Sequence, residues 1–301
     1  MTKPIAIICS DIHLSDRAPS ARSTEPDWYA AMARPLQQLS KLKEDLDVPV
    51  IVAGDIFHKW NPSPKLINFA IDRLPPCMAV PGQHDLRYHS LDDIESTGFW
   101  TLVKIGTIQY MNPKWEMGLS RTWIAYGVPW GVDPKAPEGP GKHLAIVHMF
   151  VCSKDTAYPG APEEAFYPKV RRKFWGFDAA FFGDNHKPFE SLSEKGCTIY
   201  NCGALIRRTH PERTHSPSVG ILFEDGRIDR HFLDCSEDLF SEPLLAIKKE
   251  GPDMADFLDG LREADERGSE DFRSSVRRWA DREEVSSDVK ELLLRAVEDG
   301  D

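Results

Sequence analysis

Val50-Ile51-Val52-Ala53-Gly54-Asp55-Ile56-Phe57-His58 is the stretch on which the reading of this chain turns. Three β-branched residues and a small pair lead into a carboxylate, the pattern of a buried parallel strand that delivers a polar group to the sheet edge where ligands bind. The pattern repeats. Ile5–Ser10 runs into Asp11-Ile12-His13, and Cys77–Pro81 runs into Gly82-Gln83-His84-Asp85. His143–Val147 runs into His148, and Ala179–Phe182 runs into Gly183-Asp184-Asn185-His186. Five apolar runs thus end in Asp, His or an amide. Carboxylates and imidazoles suit manganese, iron, magnesium or zinc, and no cysteine stands among them.

The chain has 301 residues, 41% of them apolar, enough for one large domain or a domain with an appendage. It enters a strand almost at once, which predicts no secretory signal, and no apolar run approaches a membrane span. Six cysteines without paired spacing predict reduced thiols in a cytoplasmic protein. The net charge of -11 argues against nucleic acid until it is located. From Ser236 onward there are 20 acidic and 10 basic residues, against 28 and 27 before it. The body is near neutral. Its basic groups at Arg171-Arg172-Lys173, Arg207-Arg208 and Arg213 read either as phosphate contacts or as solvated surface.

Between the motifs, Asp27 predicts an N-cap for a helix from Trp28 to about Leu46, with a kink or late start at Pro35. A second helix is expected near Lys65–Leu74, and a third over Leu91–Lys104. The β-α-β-α-β alternation predicts a mostly parallel sheet covered by helices. Two or three strands are expected in 107–128 and three more in 197–233, the last two joined at Glu224-Asp225-Gly226. Residues 253–264, 270–280 and 287–297 read as amphipathic helices.

The ordered set of D-x-H at Asp11/His13, G-D at Asp55, G-x-H-D at Gln83/His84/Asp85, a strand-end His148 and G-x-x-H at His186 resembles the calcineurin-like metallophosphoesterase superfamily over about residues 5–235. Gly54-Asp55-Ile56-Phe57-His58 followed by Asn61-Pro62-Ser63-Pro64 is similar to the SbcD-type DNA repair nucleases, including phage relatives. The Asp-Arg-Gly that protein phosphatases of the superfamily carry after G-D is missing, and with it a fixed donor for a terminal phosphate. The resemblance implies an α/β fold: a two-layered β-sandwich flanked by helices, with a small β cap and a helical C-terminal tail. The boundaries expected are 1–190 for the nuclease core, 191–235 for C-terminal strands of core or cap, and 236–301 for an acidic helical tail.

It also implies two divalent ions, Mn2+ or Mg2+, with Asp11, His13, Asp55 and His186 on the first and Asp55, Gln83, His148 and Asp184 on the second. His84 would protonate the leaving oxygen, Asp85 would fix the His84 ring, and His58 would orient the DNA strand. Gln83 stands where Asn is usual, and Asp184 where the first His of G-H-x-H is usual, so the second site is either rebuilt or weakened. The expected activity is phosphodiester hydrolysis in DNA repair, recombination or phage DNA processing. The alternatives are a small-molecule phosphodiesterase or phosphatase, and a largely non-catalytic DNA-binding subunit. The expected partners are DNA, an SbcC-type ABC ATPase docked through the tail, and a second copy of the chain in a homodimer, without a membrane.

Overall fold

The apolar run at the amino terminus forms strand β1 (Pro4–Cys9), buried from Ile5 onward. Helix α1 (Trp28–Leu46) follows, opened by Asp27, whose side chain accepts from the N–H groups of Tyr29 and Ala30. It runs through Pro35 without ending. The pivotal stretch is β2 (Val50–Ala53), buried at every position, and Ser63 caps α2 (Pro64–Arg73) through the Leu66 N–H. The computed structural model describes residues 2–114, 116–191 and 196–242. The helices expected over 253–264, 270–280 and 287–297, and the ATPase docking assigned to them, lie outside the described residues.

Strand β3 (Cys77–Val80) leads to a stretch where one helix was expected over Leu91–Lys104. Instead a short 3-10 turn covers Leu91–Ser96, and α3 (Gly98–Lys104) starts afresh. The cause is Thr97, an extended residue whose hydroxyl caps the Trp100 N–H. The remaining elements are β4 (Ile108–Tyr110), β5 (Glu116–Gly118), β6 (Trp123–Val128), β7 (Lys142–His148), α4 (Tyr167–Val170), β8 (Ala179–Gly183), β9 (Phe189–Ser191), β10 (Thr198–Asn201), β11 (Ser218–Phe223) and β12 (Ile228–Phe232).

The strands form two mixed six-stranded sheets, ordered β12-β11-β1-β2-β3-β4 and β5-β6-β7-β8-β10-β9. β1 to β4 are mutually parallel, as are β6, β7, β8 and β10, while the outer strands β12, β11, β5 and β9 pair antiparallel. The strands of 191–235, read as core or cap, therefore lie within both sheets.

Side-chain alternation explains the layering. Leu144, Ile146, Ala179 and Phe181 face a core shared with Ile7, Val50 and Val52 of the first sheet. Their neighbours Ala145, Val147, Ala180 and Phe182 face the other way, into a second cluster with Val170, Phe174 and Phe177. Strands buried on both faces have no room for polar side chains, so the polar groups collect where the strands end. Among the described residues no helix is long and apolar enough to cross a membrane, and the six cysteines are free.

The 234–242 segment is bound into this body. Asp238 pairs with Arg22, Arg34 and Arg207, and the Ser241 N–H bonds the Ala21 carbonyl.

Candidate metal centre

The parallel strands β1, β2, β3, β7 and β8 all deliver their polar residues to one end of the two sheets. There the backbone turns abruptly. Asp11, His13, Asp55 and Asp184 all adopt positive φ, at 53°, 50°, 54° and 82°. Asp and His tolerate this region better than bulky residues, and such strain persists at sites where the surroundings impose it. Gly54, at φ 87°, serves packing as well: a Cβ there would overlap the His148 ring. Gly82 likewise leaves space for the Asp55 carboxylate.

Asp55 lies at the centre and is almost wholly buried. Its Oδ1 accepts from the His84 N–H at 3.0 Å. Its Oδ2 has no hydrogen-bond partner and stands 3.5 Å from His13 Nε2 and 3.4 Å from His148 Nε2. His148 donates Nδ1–H to the Ala53 carbonyl at 2.6 Å, which fixes the ring and turns Nε2 toward Asp55. Burial disfavours the charged imidazole of His148, but Asp55 overrides it and lifts its pKa to about 10. Burial equally opposes charge on Asp55, and His148 holds its carboxyl well below the usual range.

On the other flank, His186 Nδ1 lies 2.6 Å from Glu212 Oε1 and its Nε2 faces His13 Nε2 at 3.1 Å. Both of these Nε2 atoms approach Asp11 Oδ1 at 3.8 Å. Burial works against a charged His186, and Glu212 raises it to about 9.

Two clusters of ligand atoms result, each within 4.8 Å: Asp11, His13 and His186, and Asp11, Asp55 and His148. A third grouping of the same tightness is His13, His58 and His84. Buried polar atoms are normally bonded. Asp55 Oδ2, His148 Nε2 and Gln83 Oε1 are buried and unbonded, which fits cations held between them. Gln83 donates Nε2–H to Asp184 Oδ1 at 2.7 Å, so its unbonded Oε1 is a free acceptor, and the Asp184 N–H contacts both Asp11 oxygens at 3.1 Å. The two departures from the family pattern thus touch one another.

Asp85 is not where the resemblance put it. Its carboxylate accepts from the N–H groups of Ile56, Phe57 and Gly82 at 3.2, 2.9 and 3.0 Å and forms no hydrogen bond with the His84 ring. Asp85 therefore clamps the β2 and β3 loops together. Burial and the nearby Asp55 lift its carboxyl to about 7, although those three donors favour the charge. The His84 ring is oriented instead by the His58 carbonyl, 3.0 Å from Nδ1, and it stacks on the His58 ring at 5.1 Å.

Arg207 and Arg208 are not solvated surface charges; each is only 7% exposed. Arg208 donates to the His13 carbonyl at 2.8 Å and to Ser15 Oγ, and Arg207 bonds Asp238 and the carbonyls of Arg213 and Cys235. Arg208 braces the loop that carries His13, and Arg207 ties 213–215 to 235–238.

Glu212 escaped the sequence reading. Besides meeting His186 it accepts from the N–H groups of Arg208 and Thr209 at 2.6 and 2.9 Å. Thr209-x-x-Glu212 is a capping-box pattern legible in the sequence, but that signals a helical turn and says nothing of a histidine 26 residues away.

The sequence profile of the calcineurin-like phosphoesterase family matches residues 6–188. No curated protein sequence matches the chain. Similar solved structures include a dimetal phosphatase from Danio rerio, 12% identical, covering 77% of this chain and 99% of its own, with a TM-score of 0.46. Calcineurin-like phosphoesterase YfkN from Bacillus subtilis is 13% identical over 79% of this chain and 92% of its own, with a TM-score of 0.41. A metallophosphoesterase from Sphaerobacter thermophilus is 16% identical over 76% and 87%, with a TM-score of 0.35. Since the profile spans more than half of the chain, from the first strand through His186, this protein belongs to the calcineurin-like phosphoesterase family, phosphoester hydrolases with a metal site.

Proposed function

We propose that the chain is a metal-dependent DNA nuclease of the SbcD type, cleaving phosphodiester bonds in DNA repair, recombination or phage DNA processing. The observation that carries this reading is the His58–His84 ring stack beside Asp55 and His13. The loop after Asp55 brings an imidazole to the rim; its preceding residues, Ile56 and Phe57, are fully buried and offer no fixed cation for a terminal monoester.

In this reading Asp11, His13, Asp55 and His186 hold one divalent ion, and Asp55, Gln83, His148 and Asp184 hold the other. When bound, such a pair supplies positive charge to the phosphate oxygens and a water acidic enough to attack at neutral pH. Three carboxylates and an amide oxygen in the ligand set favour manganese or magnesium. The chain's own residues do the rest. Asp85 holds the two loops in register, the Ala53 carbonyl and Glu212 keep Nδ1–H of His148 and His186 occupied, and each Nε2 is left free to ligate. With the His58 carbonyl accepting from His84 Nδ1–H, Nε2 of His84 is the atom that passes a proton to the leaving oxygen.

The test is incubation of the full chain with Mn2+ and labelled linear duplex or single-stranded DNA. Release of nucleotides or short fragments is expected. Intact DNA alongside rapid turnover of p-nitrophenyl phosphate would replace this reading with a small-molecule phosphatase.

A further inference from the structure

The two loops that carry His58 and His84 continue outward together. Two residues after His58, Trp60 is held by its carbonyl, which accepts the Gly98 N–H at 2.8 Å. Three residues after His84, the Arg87 guanidinium lies between two rings, 5.3 Å from the centre of Trp60 and 4.8 Å from that of Tyr88. Among the described residues the only side chain that Arg87 bonds is the Tyr88 hydroxyl, at 3.3 Å, its buried Nε has no hydrogen-bond partner, and no carboxylate pairs with it. Tyr88 itself is 78% exposed. It sits at φ 51° and is followed by His89 at φ 56°, consecutive left-handed residues that hold an aromatic ring out in solvent.

Burial does not explain this arrangement, because an exposed ring gains little from the core. Neither does ion pairing. What it offers is a π-face beside an unneutralised guanidinium, next to the stacked histidines. A planar base attached to a phosphate matches both features.

We propose that Tyr88 and Arg87, backed by Trp60, form a nucleotide subsite outside the metal-ligand cluster, in which the Tyr88 ring stacks one unpaired base and Arg87 bonds the adjoining phosphate. The proposal rests on the nuclease reading and narrows its substrate: the strand must present an unstacked base, as single-stranded DNA or a frayed end does and a closed duplex does not.

The experiment compares the full chain with Tyr88→Ala, Tyr88→Phe and Arg87→Ala. Binding in EDTA is measured by fluorescence anisotropy, using a labelled single-stranded oligonucleotide and an abasic phosphodiester oligomer of the same length. The unmodified protein is expected to prefer the base-bearing strand by roughly 5- to 150-fold, the scale of one stacked base. Tyr88→Ala should erase that preference and Tyr88→Phe should keep it, whereas Arg87→Ala should weaken both oligomers alike. A 2-aminopurine strand should be quenched by the parent protein but not by Tyr88→Ala. Equal binding of both oligomers by the parent, or a preference that survives Tyr88→Ala, overturns the subsite; if the parent still cuts DNA with Mn2+, the nuclease reading stands without it. A parent that neither binds nor cuts any strand removes the nuclease reading, and the subsite with it.

Discussion

Glu212→Gln replaces one oxygen by an NH2 group, and the surrounding bonds dictate where that group must go. Glu212 Oε2 accepts two backbone N–H groups, from Arg208 and Thr209, so the amide oxygen has to remain on that side. The NH2 then faces His186 Nδ1, where the carboxylate Oε1 accepted at 2.6 Å. A donor facing Nδ1 forces the imidazole into its other tautomer, with the proton on Nε2, the atom that faces His13 at 3.1 Å and would ligate the metal. The lost bond is charge-assisted and worth about 1.5–3 kcal/mol. That span agrees with the roughly 10- to 100-fold loss of metal affinity that follows removal of such a supporting carboxylate. Because both backbone bonds survive, the protein should fold with a melting temperature close to the parent's. Calorimetric titration of the metal-free protein with Mn2+ should show one of two sites weakened by that factor, and nitrogen-15 NMR should find His186 protonated at Nε2. Unchanged Mn2+ affinity, or a His186 still protonated at Nδ1, would refute the reasoning.

Replacing His84 by Ala should lower DNA cleavage by roughly 10²-fold or more while metal content by elemental analysis stays at the parent level; an undiminished rate removes His84 from the chemistry. Gln83 and Asp184 share a 2.7 Å bond, so Gln83→Asn and Asp184→His should each lower occupancy of the second metal, and the double substitution should recover it with a coupling of about 1 kcal/mol or more. Simple addition of the two losses in Mn2+ titrations would mean that the pair is not a compensated change. Away from the metals, the buried Glu25 accepts from Arg22, from Arg34 at 2.8 Å and from the Leu239 N–H at 2.9 Å. Glu25→Ala should cost about 3 kcal/mol in urea unfolding, the low end for a broken buried pair because Asp238 still faces both guanidiniums. Burial works against Glu25's charge, yet these donors hold its carboxyl below the ordinary 4.5. Its contribution is therefore complete above about pH 4.5 and lost as the pH falls through the lower folded value, so the stability gap to Glu25→Gln should narrow on acidification. A gap that is constant from pH 7 to pH 3 contradicts this.

Local chemistry made much of this protein legible from the chain alone. Short β-branched apolar runs such as Val50–Ala53 read as buried strands, and a polar residue at the end of such a run reads as standing at the sheet edge; both inferences need only a few neighbouring residues, repeated five times along the chain. The same holds for Asp27 as a helix cap, whose partners lie two or three residues away. Contacts between loops distant in sequence are another matter. Asp85 follows His84 directly, yet its carboxylate turns to backbone N–H groups of Ile56 and Phe57 because the β2 loop passes beside it. Arg208 bonds the His13 carbonyl across 195 positions, so a pair of arginines that reads either as phosphate contacts or as solvated surface is buried and bonded inside the protein. Glu212 and the Gln83–Asp184 bond belong to the same class, the latter spanning 101 positions. Sequence determined which residue types stand at strand ends, since burial and ligand chemistry are properties of short segments. Only the tertiary structure decided which polar atom each of them faces, because a hydrogen bond is set within a few tenths of an ångström by loops that the folded sheets bring together.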